Sequence, residues 1–225
     1  MLLKIDLHVH TNHSDGASCV EEILEAAKGR GLDGIAITNH NTTAGAVEAF
    51  NSNTDLIVIP GVELKTPQGH VLALGVQGHL LNVNEKMSVF QTAEKIRELG
   101  GVIVISHPCT PFFSMKKEFV EVLKPHAVEV LNSLSPFFRH DRNQTIKLAE
   151  RLRVAKVAGS DSHCNRTVGD AYTLIDSDSR EIEDILEAIK KCRTQIYGAP
   201  SAWKYRIQLL FDLMFRSNAS YKPPR

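Results

Sequence analysis

Short apolar runs alternate with amphipathic segments along almost the whole chain. Between residues 20 and 29, four apolar residues recur at the spacing of one helix face: Val20, Ile23, Leu24 and Ala27. Ser18 and Glu21 predict a capping box at the start of this helix. Further helices are predicted over residues 42–50, 84–99, 116–123, 143–152 and 180–192. Strands are predicted up to His10 and over residues 34–38, 56–62, 69–76, 102–105, 127–131, 154–158 and 171–175.

This alternation favours a single α/β domain. Repeated strand–helix units predict a parallel sheet with both faces covered by helices. About seven such units suit a closed barrel better than an open sheet. The chain has 225 residues, 43% of them hydrophobic, which is enough for one large core. We expect the barrel to span residues 1–200.

Residues 201–225 lie outside the repeat. Trp203, Ile207 and Leu210 recur at helix spacing, so we expect a C-terminal helix and tail docked on the barrel. A homo-oligomer formed through this segment is the alternative.

The charge balance and the cysteines indicate which partners and which cellular location to expect. Lys plus Arg and Asp plus Glu both number 26, so the chain lacks the overall positive charge that nonspecific nucleic-acid binding needs. No apolar run approaches the roughly 20 residues of a membrane span. The four cysteines are scattered, and the first residues lack the layout of a signal peptide. These features predict a cytoplasmic protein with reduced thiols.

The first strand carries the most informative pair of residues. His8 and His10 are two positions apart, so an extended segment places both imidazoles on one side, about 6–7 Å from each other. Leu7 and Val9 are expected to point together to the opposite, buried face. One His-x-His pair alone is weak evidence for a metal site. It becomes informative only if other predicted strands also end in histidines or carboxylates.

Further histidines and carboxylates follow other predicted strands. They are His40, Glu63, His107, Asp161 and His163. Because the carboxyl ends of parallel strands share one face, residues that are far apart in sequence are expected to meet there. Buried titratable groups in such numbers must be paired or bound to metal, so the pattern predicts a polynuclear metal site.

Six short segments, taken together, resemble a known family. They are DLHVHT at residues 6–11, SDG at 14–16, ITNH at 37–40, PGVE at 60–63, ISHP at 105–108 and GSDSH at 159–163. In this order they are similar to the PHP (polymerase and histidinol phosphatase) family over residues 1 to about 200. The resemblance implies a distorted TIM-like (β/α)7 barrel, two or three divalent ions (Mn, Zn or Fe) and hydrolysis of phosphate esters.

The resemblance also implies a set of metal ligands. By position, one ion would be held by His8, His10, Glu63 and Asp161. A second would share Glu63 and add His107 and His70, and a third would take Asp15, His40 and His163. Asn39 stands where the family usually has Asp, which removes one charge near the third ion. His70 also fits a core histidine.

The expected reaction is hydrolysis of a small phosphomonoester, either a nucleotide or a phosphorylated metabolite, by metal-activated water. The sequence contains no nucleophile elbow, Walker A loop or Cys/His pairing. Glu63 is the predicted bridging ligand. Asp15 and His163 are the candidates for moving a proton, and ligation alone is their alternative role.

Substrate contacts are expected from residues near the same strand ends. Asn132, Arg139 and Arg166 are the candidates, because an arginine fork matches a phosphate, although a solvated surface arginine is the common alternative. Three other functions stay open. They are a metal-dependent exonuclease or phosphodiesterase on nucleic acid, which the charge balance disfavours, a noncatalytic metal-binding regulatory module, and a hydrolase of C–N bonds. The last is disfavoured because no strand-end lysine suited to bridging two metals is evident.

Overall fold

Nine strands form one sheet in the computed structural model, which describes residues 1–76, 85–110 and 114–208. The strands are β1 (Leu2–Val9), β2 (Gly34–Ile37), β3 (Ile57–Thr66), β4 (Gly69–Leu74), β5 (Val102–Ile105), β6 (Ala127–Asn132), β7 (Ala155–Gly159), β8 (Ala171–Asp176) and β9 (Thr194–Gly198). The helices are α1 (Val20–Gly29), α2 (Ala44–Phe50), α3 (Val89–Glu98), α4 (Lys117–Leu123), α5 (Phe138–Leu152) and α6 (Ile182–Lys190). No helix within the described ranges is both long and apolar enough to cross a membrane.

The seven strands β1 to β7 wrap into a nearly closed barrel. They pair in sequence order, and the chain after β7 then meets β1 through a parallel bridge between Val9 and Ser162. The amide of Asp161 donates to the carbonyl of His8, and the amide of His10 donates to the carbonyl of Ser162, both at 2.8 Å. β8 and β9 extend the sheet beyond β1 as antiparallel strands. The predicted seven-stranded α/β barrel is therefore confirmed.

The expectation of a wholly parallel sheet is wrong at β4. This strand runs antiparallel to both β3 and β5. Only Pro67 and Gln68 separate β3 from β4, and two residues suffice for a hairpin but not for a crossover to a parallel strand. β8 and β9 also pair antiparallel, and β9 was not predicted.

β3 is longer than predicted. It continues to Thr66, four residues past the predicted end at Val62, because its pairing with β4 persists to Gly69. Glu63 is therefore inside the strand rather than after it.

Helix starts also differ from the sequence prediction. The capping box of α1 is formed by Cys19 and Glu22, while Ser18 instead accepts the amide of Asn165. α3 begins at Val89 because Ser88 and Gln91 form a capping box there. α5 begins at Phe138, five residues earlier than predicted.

β1 contains an irregularity that re-aims its side chains. Its register with β2 shifts between Asp6 and Val9. Leu7 packs in the same apolar cluster as Ile5, whereas Val9 packs in the cluster around α1. Such a shift interrupts the period-two alternation of a strand, so the expectation that Leu7 and Val9 share a face is wrong.

The barrel interior holds an apolar cluster that α6 covers at one end. The strands contribute Ile5, Ile59, Leu72, Leu74, Val104 and Val157, and α6 contributes Ile185, Leu186 and Ile189. Lys190 Nζ of α6 donates to the carbonyl of Gly100, just before β5 begins. The opposite end of the barrel is left to polar residues.

Residues 203–208 are helical and contact the barrel. Tyr205 is buried against Leu134 and Cys164, and Arg206 donates to the carbonyl of Ser135. Residues 209–225, including Leu210, lie outside the described residues, so docking of the whole segment stays a prediction.

Candidate metal centre

Polar side chains gather at the end of the barrel opposite α6. β1, β2, β3, β5, β6 and β7 end at this rim, and β4 begins there because it runs the other way. His70 is the second residue of β4, so it reaches the same rim as Glu63. Its Nδ1 lies 3.1 Å from Oε1 of Glu63.

One group of four ligand atoms is compact. Nε2 of His8 and Nε2 of His10 lie 3.1 Å apart. Both lie 3.3 Å from Oε2 of Glu63. Oδ1 of Asp161 lies 3.4 Å from Nε2 of His8 and 3.2 Å from Nε2 of His10. An ion with four ligand bonds of about 2.0–2.1 Å separates its ligand atoms by roughly 3.3 Å, so the spacing fits a metal.

The second oxygen of Glu63 belongs to another group. Oε1 lies 3.0 Å from Nε2 of His107 and accepts the hydroxyl of Ser106 at 3.1 Å, in addition to its contact with His70. A carboxylate whose two oxygens face different sets of imidazoles is suited to bridging two cations.

Asp15 is at the centre of a third group. Its Oδ2 lies 3.3 Å from Nε2 of His40, and its Oδ1 lies 3.4 Å from Nε2 of His163. Nδ1 of His10 lies 3.5 Å from the same Oδ1. The side chain of Asp15 is 12% exposed, so this group lies at the mouth of the cluster.

His10 and His40 each face two groups. Nδ1 of His40 lies 3.0 Å from Oε2 of Glu63, while its Nε2 faces Asp15. Nδ1 of His10 and Nδ1 of His40 are buried and make no well-formed hydrogen bond to another described residue, although a carboxylate lies close to each. Buried imidazole nitrogens and carboxylates in this arrangement fit divalent ions as shared partners.

Without metal, the cluster distributes its charge between carboxylates and imidazoles. Burial by itself lowers the pKa of His10, but hydrogen bonds with Asp161 and Glu63 outweigh it and raise that pKa to about 9. Burial opposes ionisation of Glu63, yet the charges of His40, His8 and His70 hold its pKa well below the usual range. Burial is also the main reason that the pKa of His40 falls to about 4. Metal ions and protons therefore compete for the imidazoles of this cluster.

Glu129 fixes the orientation of His8. Its Oε1 accepts Nδ1–H of His8 at 2.8 Å, which leaves the lone pair of the neutral imidazole on Nε2, facing the cluster. Its Oε2 accepts the backbone amide of His107 at 2.8 Å and Nδ2 of Asn132 at 3.1 Å. One buried carboxylate thus holds parts of three strand ends.

Local backbone geometry also positions the ligands. His107 has a φ of 32° and Asp161 a φ of 54°, in the left-handed region that costs energy for residues with a Cβ. Gly159 lets β7 approach His8, because a Cβ at this position would lie 2.4 Å from Cβ of His8. Two predicted ligands thus have strained backbone conformations, and a glycine occurs where β7 approaches β1 closely.

Comparison with known proteins places this geometry in a family. A family model described as PHP-associated matches residues 139–194. An uncharacterized protein of Methanocaldococcus jannaschii is 31% identical over 144 residues, which is 58% of this chain and 82% of that protein. A phosphoribosyl 1,2-cyclic phosphate 1,2-diphosphodiesterase of Eggerthella lenta is 39% identical over 80 residues, which is 32% of this chain and only 30% of that enzyme.

A solved structure shares the fold. It is a two-domain protein of Bacteroides vulgatus, described as containing a predicted PHP-like metal-dependent phosphoesterase. It superposes with a TM-score of 0.70 at 18% identity, over 88% of this chain and 65% of the other. The chain belongs to the PHP family. Three groups of its histidines and carboxylates could each hold a metal ion.

The PHP barrel brings together all nine residues predicted as ligands. They are His8, His10, Asp15, His40, Glu63, His70, His107, Asp161 and His163, and they occur in the contacts given above. Asn39 is buried and accepts the amide of Thr11 and the hydroxyl of Ser14, so it holds the loop that carries Asp15. Its side chain therefore supports the third group from outside.

The three predicted substrate contacts of this PHP protein occupy different settings. Asn132 is buried at the cluster, where its Nδ2 donates to Asp161 at 3.1 Å. Arg139 is exposed near the start of α5. Arg166 is also exposed, and its carbonyl accepts from Arg30.

Sequence reasoning missed Glu129 and Ser106. Glu129 lies inside a predicted strand, and an acidic residue within an apolar run is the signal that could have indicated it. Ser106 precedes His107 directly, but a serine beside a ligand is too common to indicate a contact with Glu63.

Proposed function

We propose that this chain hydrolyses small phosphomonoesters with two or three divalent ions, of Mn, Zn or Fe, held by the nine residues of the cluster. The spacing of 3.1–3.4 Å among Nε2 of His8, Nε2 of His10, Oε2 of Glu63 and Oδ1 of Asp161 carries the proposal. Two imidazole nitrogens and two carboxylate oxygens point at one another within this group. A cation bound among these four atoms would relieve the repulsion between their lone pairs and negative charges.

The assignment of ligands to ions follows the three groups. His8, His10, Glu63 and Asp161 hold the first ion, and Glu63 is shared with a second that His70 and His107 complete. Asp15, His40 and His163 hold the third. His10 and His40 lie between groups, so each imidazole is available to two neighbouring ions.

The chemistry divides between the ions and the side chains. Bound divalent ions lower the pKa of a coordinated water and neutralise charge on the phosphoryl oxygens. Nδ1–H of His163 donates to the carbonyl of Asp161 at 2.8 Å, which places the basic lone pair of the neutral imidazole on Nε2, facing Asp15. When two ions are bound, we assign to this Nε2 and the Asp15 carboxylate the transfer of a proton between water and the leaving oxygen; with a third ion bound, both would act as its ligands instead.

Substrate contacts remain Asn132, Arg139 and Arg166. Asn132 is close enough to Asp161 to meet a substrate bound at the first group. Neither arginine forms an ion pair with another described residue, and their guanidinium groups suit a phosphate. Two observations support a small substrate rather than a nucleic acid. The charge of the chain is balanced, and the name of the Eggerthella lenta relative describes a phosphoribosyl compound.

The second candidate function is a phosphodiesterase or exonuclease on nucleic acid, since the same ions suit a diester. A panel of nucleoside monophosphates, other phosphorylated metabolites and single-stranded oligonucleotides, assayed with each metal added back to stripped protein, distinguishes the two. Release of inorganic phosphate from monoesters alone supports the proposal, and cleavage of oligonucleotides alone refutes it. Metal binding without turnover of any phosphate ester would indicate the regulatory module.

We also propose a cytoplasmic location, which the four unpaired cysteines support.

A further inference from the structure

The barrel strands place one lysine at the metal-binding rim. β1 to β7 contain no arginine and three lysines, which are Lys4, Lys65 and Lys156. Lys4 is the third residue of β1 and Lys156 the second of β7, so both lie near the opposite rim. Lys65 is the ninth of ten residues in β3, beyond Glu63.

The strand register aims Lys65 at the cluster. Lys65 pairs directly with His70 across the antiparallel β3–β4 hairpin, so their side chains share one face. Glu63 lies two residues before Lys65, and the contact of Glu63 with His70 shows that this shared face is the one that bears the ligands. The ammonium group of Lys65 therefore belongs to the mouth of the site.

The backbone of Lys65 is held from the neighbouring strand as well. Its amide donates to Oδ1 of Asn41 at 3.0 Å, and the amide of Asn41 donates to the carbonyl of Glu63 at 2.9 Å. Asn41 directly follows His40 and has a φ of 52°. Lys65 thus lies between His40 and His70, which with Glu63 form one of the groups able to hold a metal.

The side chain of Lys65 is available to a ligand. The residue is half-buried, and its Nζ makes no hydrogen bond or ion pair with another described residue. An unpaired lysine beside a cluster of metal ligands is suited to bind an anion. Such an anion would contact the ammonium group on one side and the metal ions on the other.

We propose that Lys65 binds a nonbridging oxygen of the substrate phosphate at the His40–Glu63–His70 group. This inference rests on the proposed function, because it names the residue that selects a dianionic phosphate over a less charged ester. The same contact retains inorganic phosphate, the product of the reaction. The sequence pattern did not indicate Lys65, because β3 was predicted to end before it.

The test compares four proteins loaded with metal: the native chain, Lys65→Met, Lys65→Arg and Lys4→Met. Lys65→Met keeps the alkyl stem and removes the charge, and Lys4→Met makes the same change at the opposite rim. Bound metal is counted by elemental analysis, binding of inorganic phosphate is measured by titration calorimetry, and KM and kcat are measured with an aryl phosphate.

We expect Lys65→Met to bind as many ions as the native chain but to bind phosphate roughly tenfold to a hundredfold more weakly, the range of one charge-assisted hydrogen bond. KM should rise by a similar factor while kcat changes less. Lys65→Arg should recover most of the phosphate affinity, and Lys4→Met should match the native chain. Should Lys65→Met fail to fold, Lys65→Gln supplies the same comparison.

Unchanged phosphate binding in Lys65→Met, a loss of metal in that variant, or an equal effect of Lys4→Met would overturn the inference. A native chain that binds phosphate through Lys65 yet hydrolyses no phosphate ester would overturn the proposed function and leave the phosphate site in place. Turnover by the native chain with no effect of Lys65 would do the reverse.

Discussion

Nδ1 of His8 lies 2.8 Å from Oε1 of Glu129, and both side chains are buried. The carboxylate fixes the tautomer and the plane of the imidazole, and it increases the basicity of the nitrogen that faces the metal.

Replacing Glu129 should weaken metal binding although Glu129 is not itself assigned as a ligand. In Glu129→Gln, we expect the affinity of the His8 group to fall by roughly 10–100-fold, because an amide supports the imidazole less strongly. Competition with a chelator measures this affinity. Glu150→Gln, which removes an exposed partner of Lys156, is the matched control. Equal metal affinities for the two variants would contradict the role given to Glu129.

Loss of the proposed bridging charge should lower the number of bound metal ions. Glu63→Gln preserves the shape of the side chain but leaves neighbouring cations without a shared anion, so bound metal should fall by at least one ion per chain. The double variant His8→Ala with His10→Ala should lose both metal and activity. Elemental analysis gives the metal count, and Glu48→Gln at an exposed position is the control. A full metal content in either site variant would show that the ligands are misassigned.

Arg166 should act on the substrate rather than on the ions. Arg166→Ala should keep the native metal content and raise KM, because a residue that contacts phosphate contributes to substrate binding. Steady-state kinetics and metal analysis are run on the same preparations. Arg151→Ala removes an exposed arginine paired with Glu121 and should leave KM unchanged. If Arg166→Ala lost metal while Glu63→Gln kept it, the two roles would be reversed.

His126 should make folding sensitive to acid, independently of the metal ligands. Its Nδ1 accepts the amide of Ile103, and burial, followed by the charges of Lys190 and Arg97, lowers its pKa. Because the folded state disfavours the proton, this residue stabilises the fold above its unfolded pKa of about 6.5, and the contribution is lost as the pH falls below that value.

The comparison of His126→Asn with the native chain isolates this effect. Asparagine can also accept the amide of Ile103 but does not titrate. Between pH 7.5 and 5.5, Tm of the native chain should fall further than Tm of the variant, as measured by thermal melts at both pH values. Parallel losses in the two proteins would assign the acid sensitivity to other groups.

Asp141 joins the two loops that follow β5 and β6. Its Oδ2 accepts the hydroxyl of Thr110 at 2.9 Å and also that of Ser135. Asp141→Ala leaves both hydroxyls without this partner, so the free energy of unfolding should fall by about 1–3 kcal/mol. Urea denaturation measures the change. Asp178→Ala, at an exposed pair with Arg193, should have a much smaller effect.

The sequence was most informative where ligands follow predicted strand ends. His40, His107 and Asp161 each come after a short apolar run, and the common rim of parallel strands was enough to predict that they meet. His8 could also be identified, although the register shift in β1 that lets both Leu7 and His8 face inward has no clear signal in the residues.

Other parts of the site required the strand pairing. Glu129 lies inside an apolar strand, and its two oxygens select different partners only once β6 is placed between β5 and β7. Lys65 could be placed only after β3 was seen to continue past Glu63. Both residues depend on register, which is set by contacts between distant segments rather than by local composition.

The β3–β4 hairpin makes the number of residues between Glu63 and His70 as important as their identity. Strand side chains alternate with a period of two. Removing one residue between Glu63 and His70 would therefore shift the pairing of β4 by one residue and turn its side chains to the opposite face. The amino-acid composition would hardly change, yet an imidazole would leave the barrel and an aliphatic side chain would enter it. Pro67 and Gln68 form the turn, so the length of this turn determines whether His70 faces the metal ligands of β3.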